Sequence, residues 1–269
     1  MRRKNECFET DPKVRRIRKV LTGLQPGLVA VSGGVDSRFL AALIMRFDLD
    51  FRAVFFDGPR MSAREKEQAL DFLEKSKIGF DLLPVDPLKE TDVLHNDRQR
   101  CYFCKRDLFS RALEHGRELG RPRVLEGSHL SDRSAYRPGL KALTELGIYS
   151  PLAEAGFTKQ AIRQQAGWIG LDCPDQPSRP CLLTRFAYGY RPGKKELEQV
   201  GRAEDELIGL GLTAFRIRVL GRTRMLLQLI PAEESLARYH ATRIRQVMEQ
   251  NRLSPFEIVI TEKISGFFD

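Results

Sequence analysis

Six consecutive residues, Ser32-Gly33-Gly34-Val35-Asp36-Ser37, have the types that hold a phosphate chain. Two adjacent glycines let a backbone approach an anion closely and turn its N–H groups toward it. Ser37 can donate to a phosphate oxygen, and Asp36 can help hold the magnesium that neutralises the charge. A second group consists of cysteines. Cys101 and Cys104 stand three apart, and Cys181 follows in a loop rich in proline, serine and arginine. A CxxC pair alone is compatible with half a zinc site, a redox pair or chance. A third group is Arg185, Arg216 and Arg218, whose guanidinium forks match phosphate or carboxylate.

The elements that must position these residues can be read from patterning. Leu28 to Val31 is an apolar run of strand length, and a helical pattern starts at Val35. Strand, glycine turn and helix then aim the positive end of the helix dipole at the glycines. Neither a Walker loop nor GxGxxG is present. Residues 51–57 read as a second buried strand whose carboxyl end, at Asp57, lies beside the first, where nucleotides bind in such sheets. Ser62 and Glu65 form a capping box for a helix to about Ser76, and residues 78–85 read as a third strand. A polar loop over 86–100 leads to a helix from Cys101 to about Leu119. Its first turn carries both cysteines on one face, with thiolates favoured by the dipole. Residues 124–128 form the next strand, bringing Glu126 and Gly127 to the same sheet edge, where Glu126 is a candidate contact to ribose, substrate or metal. A loop containing 136–141 and a helix over 158–167 follow.

This alternation predicts an α/β fold with a doubly wound parallel sheet. Its domain covers 1–170, and a smaller α+β domain covers 171–269, with the cysteine loop 173–189 at the junction. The second domain reads as a helix over 194–209, strands over 214–220 and 223–230, a helix over 232–249 and a strand over 256–261. Arg216 and Arg218 alternate with Phe215, Ile217 and Val219, so they share one strand face, either solvated or an anion clamp.

Hydrophobic residues at 42% and charged residues at 30% describe a soluble globular chain. No apolar run reaches the ~18 residues of a membrane span. The basic start lacks the apolar segment of a secretory signal, so a cytoplasmic location is expected. A net charge of +9 favours anionic partners: a nucleotide, a phosphorylated small molecule or RNA. Five cysteines without an export signal point to metal or redox chemistry rather than disulfides. Cys7 and Cys173 are expected to be small buried or partly buried thiols, and Trp168 a packing residue.

The stretch from Ser32 to Ser37 resembles the SGGxDS loop of the N-type ATP pyrophosphatases, the PP-loop superfamily, which split ATP between its α and β phosphates. The segment Pro180 to Gly189 resembles the C-x-x-S-R-x-x-Y-G loop of one of its branches, the LarE family of ATP-dependent sulfur transferases, with Thr184 where serine is usual. The resemblance extends through Tyr136 to Ala142, Glu154 to Lys159 and the paired arginines, from about residue 10 to 261. It implies an adenine-nucleotide alpha-hydrolase fold, with ATP and Mg²⁺ at Ser32, Gly33, Gly34, Asp36, Ser37, Asp57, Glu126 and Gly127. It implies a pyridinium dicarboxylate mononucleotide as substrate, its phosphate or carboxylates met by Arg185, Arg216 and Arg218. Catalysis would fall to Cys181, Asp36 and Arg185, in assembly of a nickel-pincer cofactor, and a homo-oligomer and a sulfide donor are implied as well.

In one branch of that family a single cysteine, matched by Cys181, gives up its sulfur and becomes dehydroalanine. In another, three cysteines hold a [4Fe-4S] cluster, and Cys101, Cys104 and Cys181 match that pattern. Three thiolates leave a fourth iron open to exogenous sulfide. Zinc prefers four ligands, and His95 is the nearest histidine in sequence. Two other readings compete: a tRNA thiolase sharing the loop, although no RNA-binding appendage is evident, and a nucleotide or metal sensor without turnover.

Overall fold

Leu28, Val29 and Val31 are at most 2% exposed, as a strand covered on both faces requires. The computed structural model, which describes residues 2–134 and 137–268, places β1 (Gly27–Ala30) inside a four-stranded sheet. Ahead of it lie α1 (Arg2–Thr10) and α2 (Pro12–Leu24). Asp11 caps α2 by accepting from the Lys13 N–H at 2.7 Å, Pro12 fills the first turn, and Val14, Ile17 and Leu21 face inward. After β1 come α3 (Val35–Arg46), β2 (Phe51–Asp57), α4 (Ala63–Ser76) and β3 (Phe80–Pro84). Then follow α5 (Thr91–Leu94), α6 (Arg100–Glu118), β4 (Arg123–Leu125), α7 (Pro138–Glu145), α8 (Pro151–Glu154) and α9 (Lys159–Trp168).

The sheet order is β3-β2-β1-β4 and every pairing is parallel, so the expected doubly wound architecture is found. Successive strands run outward from β1 to β3, and β4 then pairs on the other side of β1. That reversal opens a crevice at the carboxyl ends of β1 and β4.

The chain continues with α10 (Lys194–Gly209), β5 (Phe215–Gly221), β6 (Arg224–Leu229), α11 (Glu234–Tyr239), α12 (Ala241–Gln250) and β7 (Phe256–Ile260). β5 and β6 are antiparallel and β7 joins β6 in parallel. Two compact units result. The first holds the segments up to residue 57, 67–85 and 101–178; the second holds 58–66, 86–100 and the chain from 179 onward.

Several local expectations are revised. The polar stretch 86–100 contains a 3-10 turn at Pro87–Lys89 and α5, and it buries Asn96 completely. The Asn96 amide donates to the Ala187 carbonyl at 2.9 Å, and Arg100 donates to its oxygen at 2.9 Å. Residues 138–141, read within a loop, open α7, because proline is tolerated in a first helical turn. Gly139 makes the neighbouring approach possible, since a Cβ there would lie 2.9 Å from the Lys105 side chain and 3.2 Å from the Cys101 carbonyl. The single helix expected over 232–249 is broken at His240 into α11 and α12. The break is silent in the periodicity because Ala237, Ile244 and Met248 keep one apolar face across it.

Candidate functional site

β1 ends at Ala30 and α3 starts at Val35, so four residues make the whole turn. Gly33 has φ of +82°, and a Cβ there would lie 2.7 Å from that of Ala69. Glycine alone satisfies both constraints. Gly34 caps α3 without a side-chain hydrogen bond, which offers the helix's first N–H groups to an outside acceptor. Ser37 is 5% exposed and ties the loop together: its hydroxyl donates to the Gly34 carbonyl at 3.0 Å and accepts from the Ser32 N–H at 3.1 Å.

The strand β4 delivers its own residues to the same crevice. A Cβ on Gly127 would lie 2.9 Å from the Ser37 nitrogen and 3.1 Å from its Cα, so this glycine lets β4's end close onto the start of α3. Glu126 is 6% exposed. It accepts from the Ser128 N–H at 2.9 Å and from the hydroxyls of Ser128 and Ser150 at 2.8 and 2.6 Å, with the Lys105 ammonium at 3.8 Å. Asp57 ends β2, and its carbonyl accepts from Val85 at 2.8 Å. Asp36, in the first turn of α3, has both carboxylate oxygens on the Lys159 ammonium at 2.8 and 2.6 Å.

In the second unit, Cys181 is half-buried and precedes a 3-10 turn, Leu182–Arg185. The Thr184 hydroxyl donates to the Cys181 carbonyl at 2.8 Å. Arg185, 1% exposed, holds the same loop by donating to the Pro180 carbonyl at 2.8 Å and the Thr184 hydroxyl at 3.0 Å. Its remaining donors grip Glu204 on α10 at 2.9 and 2.8 Å. Burial opposes both charges, yet each partner outweighs it: Arg185 is held above the ordinary guanidinium range and Glu204 below the ordinary carboxylate range.

Glu204 also accepts from the Ile217 N–H at 3.0 Å. Arg216 and Arg218 are each 4% exposed, so a solvated face is ruled out. Burial first, and then the charge of Arg185, pull Arg216 down to about 9. Arg218 donates to Gln228 and to the Thr184 carbonyl, both at 2.8 Å, and its guanidinium lies 5.1 Å from the Phe267 ring centre.

Cys101 and Cys104 occupy the first turn of α6, Cys101 exposed and Cys104 half-buried. Three thiols are the right donors for an iron–sulfur cluster. Among the described residues no group of three or more His, Cys, Asp or Glu side chains is gathered closely enough to hold a metal ion. The glycine turn and its bare helix start, by contrast, fit a phosphate chain, and Asp36 supplies an oxygen donor beside it. Cys7 and Cys173, expected to be buried or partly buried, are both exposed. On α1 the neighbouring Phe8 takes the inward position, and Cys173 sits in a left-handed turn at φ +48°. Tyr136 lies outside the described residues.

Four residues at these sites carried no expectation. Nothing in the sequence around Lys159 assigns it a role. His129, 6% exposed, places Nε2 3.9 Å from Asp36 and 3.6 Å from Asp132. Arg38 donates to the carbonyl of Asp172 at 3.0 Å and to the Gln176 side chain at 2.7 Å, anchoring the loop that follows α9. Glu204 looked like one more acid on an amphipathic helix. A charged residue at an inward helical position was the available signal for Arg38 and Glu204.

No protein-family model matches the chain. An uncharacterized protein of Synechocystis sp. is 33% identical over 77% of this chain and 78% of its own length. A 60-residue stretch, 22% of this chain and 12% of the relative, is 43% identical to the glutamine-hydrolyzing GMP synthase of Campylobacter jejuni. The pyridinium-3,5-bisthiocarboxylic acid mononucleotide synthase of Lactiplantibacillus plantarum is 30% identical over 74% of this chain and 72% of its own length. That last enzyme is LarE. A likeness spanning about three quarters of both chains, joined to a PP-loop type α/β fold, makes this protein a member of the LarE family.

Proposed function

We propose that this protein is an ATP-dependent sulfur transferase that converts carboxylates of a pyridinium dicarboxylate mononucleotide into thiocarboxylates. The observation that carries this reading is the glycine turn at the uncapped start of α3, with Gly127 closed against it, in a chain related to a synthase of the bisthiocarboxylic acid mononucleotide. A substrate carboxylate oxygen attacks the α-phosphorus of ATP, the bond to the bridging oxygen breaks, and pyrophosphate leaves. Sulfur then attacks the acyl carbon of the adenylate and AMP departs. The N–H groups of Gly33, Gly34 and the start of α3 hold the departing pyrophosphate, with Ser37 fixing the loop through the Ser32 N–H and Asp36 facing Mg²⁺. Asp57, Glu126 and Gly127 line the nucleotide's side of the crevice. Arg216 and Arg218 meet the substrate's anionic groups, and Arg185 positions the backbone that carries Cys181.

Cys181 supplies the sulfur either directly, its thiolate displacing AMP to form a thioester and a base then taking the Cα proton as the Cβ–S bond breaks, so that the thiocarboxylate leaves and dehydroalanine remains, or as one ligand of a [4Fe-4S] cluster with Cys101 and Cys104. Such a cluster, when bound, would supply sulfide. The test is anaerobic reconstitution with iron and sulfide, followed by metal analysis of the wild type and Cys101→Ser, together with pyrophosphate release on the mononucleotide, on tRNA and without substrate. Pyrophosphate release with the mononucleotide alone is expected. Iron lost in Cys101→Ser supports the cluster, whereas Cys181 found as dehydroalanine without iron supports direct donation. Release driven by tRNA, or none with any substrate, overturns the proposal.

A further inference from the structure

The ammonium of Lys159 bridges both carboxylate oxygens of Asp36 at 2.8 and 2.6 Å, leaving neither without a charged partner. The contact is built from two anchored ends. Asp36 is fixed in the first turn of α3, directly after the glycine turn. Lys159 opens α9, whose N-cap Thr158 accepts from the Ala161 N–H at 3.3 Å, and the Lys159 N–H donates to Ser131 at 3.3 Å. The two side chains are 25% and 28% exposed, so the contact is reached by solvent rather than sealed in the core. Further polar groups adjoin them: His129 lies 3.9 Å from Asp36, Asp132 lies 3.6 Å from His129, and Arg137 lies 2.9 Å from Asp132.

We infer that Lys159 is a placeholder for the divalent cation: it occupies Asp36 until nucleotide arrives, so the metal enters only together with ATP. This inference rests on the nucleotide reading of the glycine loop. The ammonium engages both carboxylate oxygens at these distances and repels a second cation, so a divalent ion arriving alone competes with a partner already in place. ATP changes the balance because its phosphates offer the metal further oxygen ligands and offer the displaced ammonium a new anion. Metal and nucleotide therefore bind with mutual enhancement, and the loop is spared an unproductive metal-only state.

The test measures Mn²⁺ binding by the free-ion electron paramagnetic resonance signal, with and without α,β-methylene-ATP, which cannot be cleaved at the α–β bridge, after subtracting the Mn²⁺ that the analogue chelates in a protein-free control. Wild type is expected to bind Mn²⁺ alone roughly fivefold or more weakly than with the analogue, the scale of one such ion pair. Lys159→Met is expected to bind Mn²⁺ alone correspondingly tighter and so to show a smaller enhancement, the phosphates' own contribution remaining, and Lys159→Arg to keep the full enhancement. Equal Mn²⁺ affinity in wild type with and without the analogue overturns the inference, and needs no variant. So does a Lys159→Met protein, folded by circular dichroism, whose metal-only affinity matches wild type. Failure of wild type to bind the analogue at all is a different result: it removes the nucleotide reading itself, and the inference with it.

Discussion

Glu204→Gln keeps the shape of the side chain and removes one charge, and its cost can be worked from the contacts. Glu204 and Arg185 have side chains 3% and 1% exposed and meet through two hydrogen bonds at 2.9 and 2.8 Å. Arg179 stands 3.9 Å away, and the charge of Arg216 also acts on Glu204. Without the carboxylate, Arg185 becomes a fully buried cation beside two others. Stranding one partner of a buried pair costs about 3–5 kcal/mol, a large share of the roughly 5–15 kcal/mol that stabilises a whole domain.

The assay is urea unfolding followed by far-ultraviolet circular dichroism, with hydrogen exchange over β5, where Ile217 loses its acceptor. The single tryptophan, Trp168, belongs to the first unit, so its fluorescence follows the wrong transition. The folded pKa of Glu204 is depressed, so its contribution is fully present above its unfolded value and is lost only as pH falls through the lower folded one. The difference between variant and wild type is therefore expected to be constant from neutral pH down to the carboxylate range and to shrink below it. Adding Arg185→Met should recover much of the loss, since the orphaned charge goes with it. A loss below about 1 kcal/mol, the value of an exposed pair, would refute the reasoning.

Gly127→Ala sets a methyl 2.9 Å from backbone of α3, which cannot yield as a side-chain tip would, so a stability loss of about 1–3 kcal/mol is expected along with weakened nucleotide binding by calorimetry. Arg38→Met removes the donors that hold Asp172 and Gln176, so chymotrypsin cleavage between 171 and 183 is expected to accelerate while the melting temperature of the first unit moves little.

The parallel sheet was legible because consecutive apolar residues such as Leu28 and Val29, or Val54 and Phe55, suit only a doubly covered strand. The glycine turn was legible because its spacing leaves no room for another element. Legibility ended where meaning depends on a partner distant in sequence. Nothing local to Arg185 announces Glu204, and nothing in Asp36 announces Lys159, 123 positions away. The paired arginines alternated correctly on their strand, but alternation cannot tell a solvated face from a face covered by Gln228 and Phe267. α7 stayed hidden because Pro138-Gly139 has the composition of a turn, and a helix start uses the same proline.

The interleaving of the two units has a consequence for how the protein can be made and cut. The chain crosses between them five times, and the second unit recruits 58–66 and 86–100 from amid the first. A ribosome must therefore release Asn96 long before Phe186 and Ala187, its carbonyl partners, exist. Those early segments wait without partners while most of the first unit is already synthesised. No single proteolytic or genetic cut separates the units, so this fold offers evolution little scope for exchanging one half as a cassette.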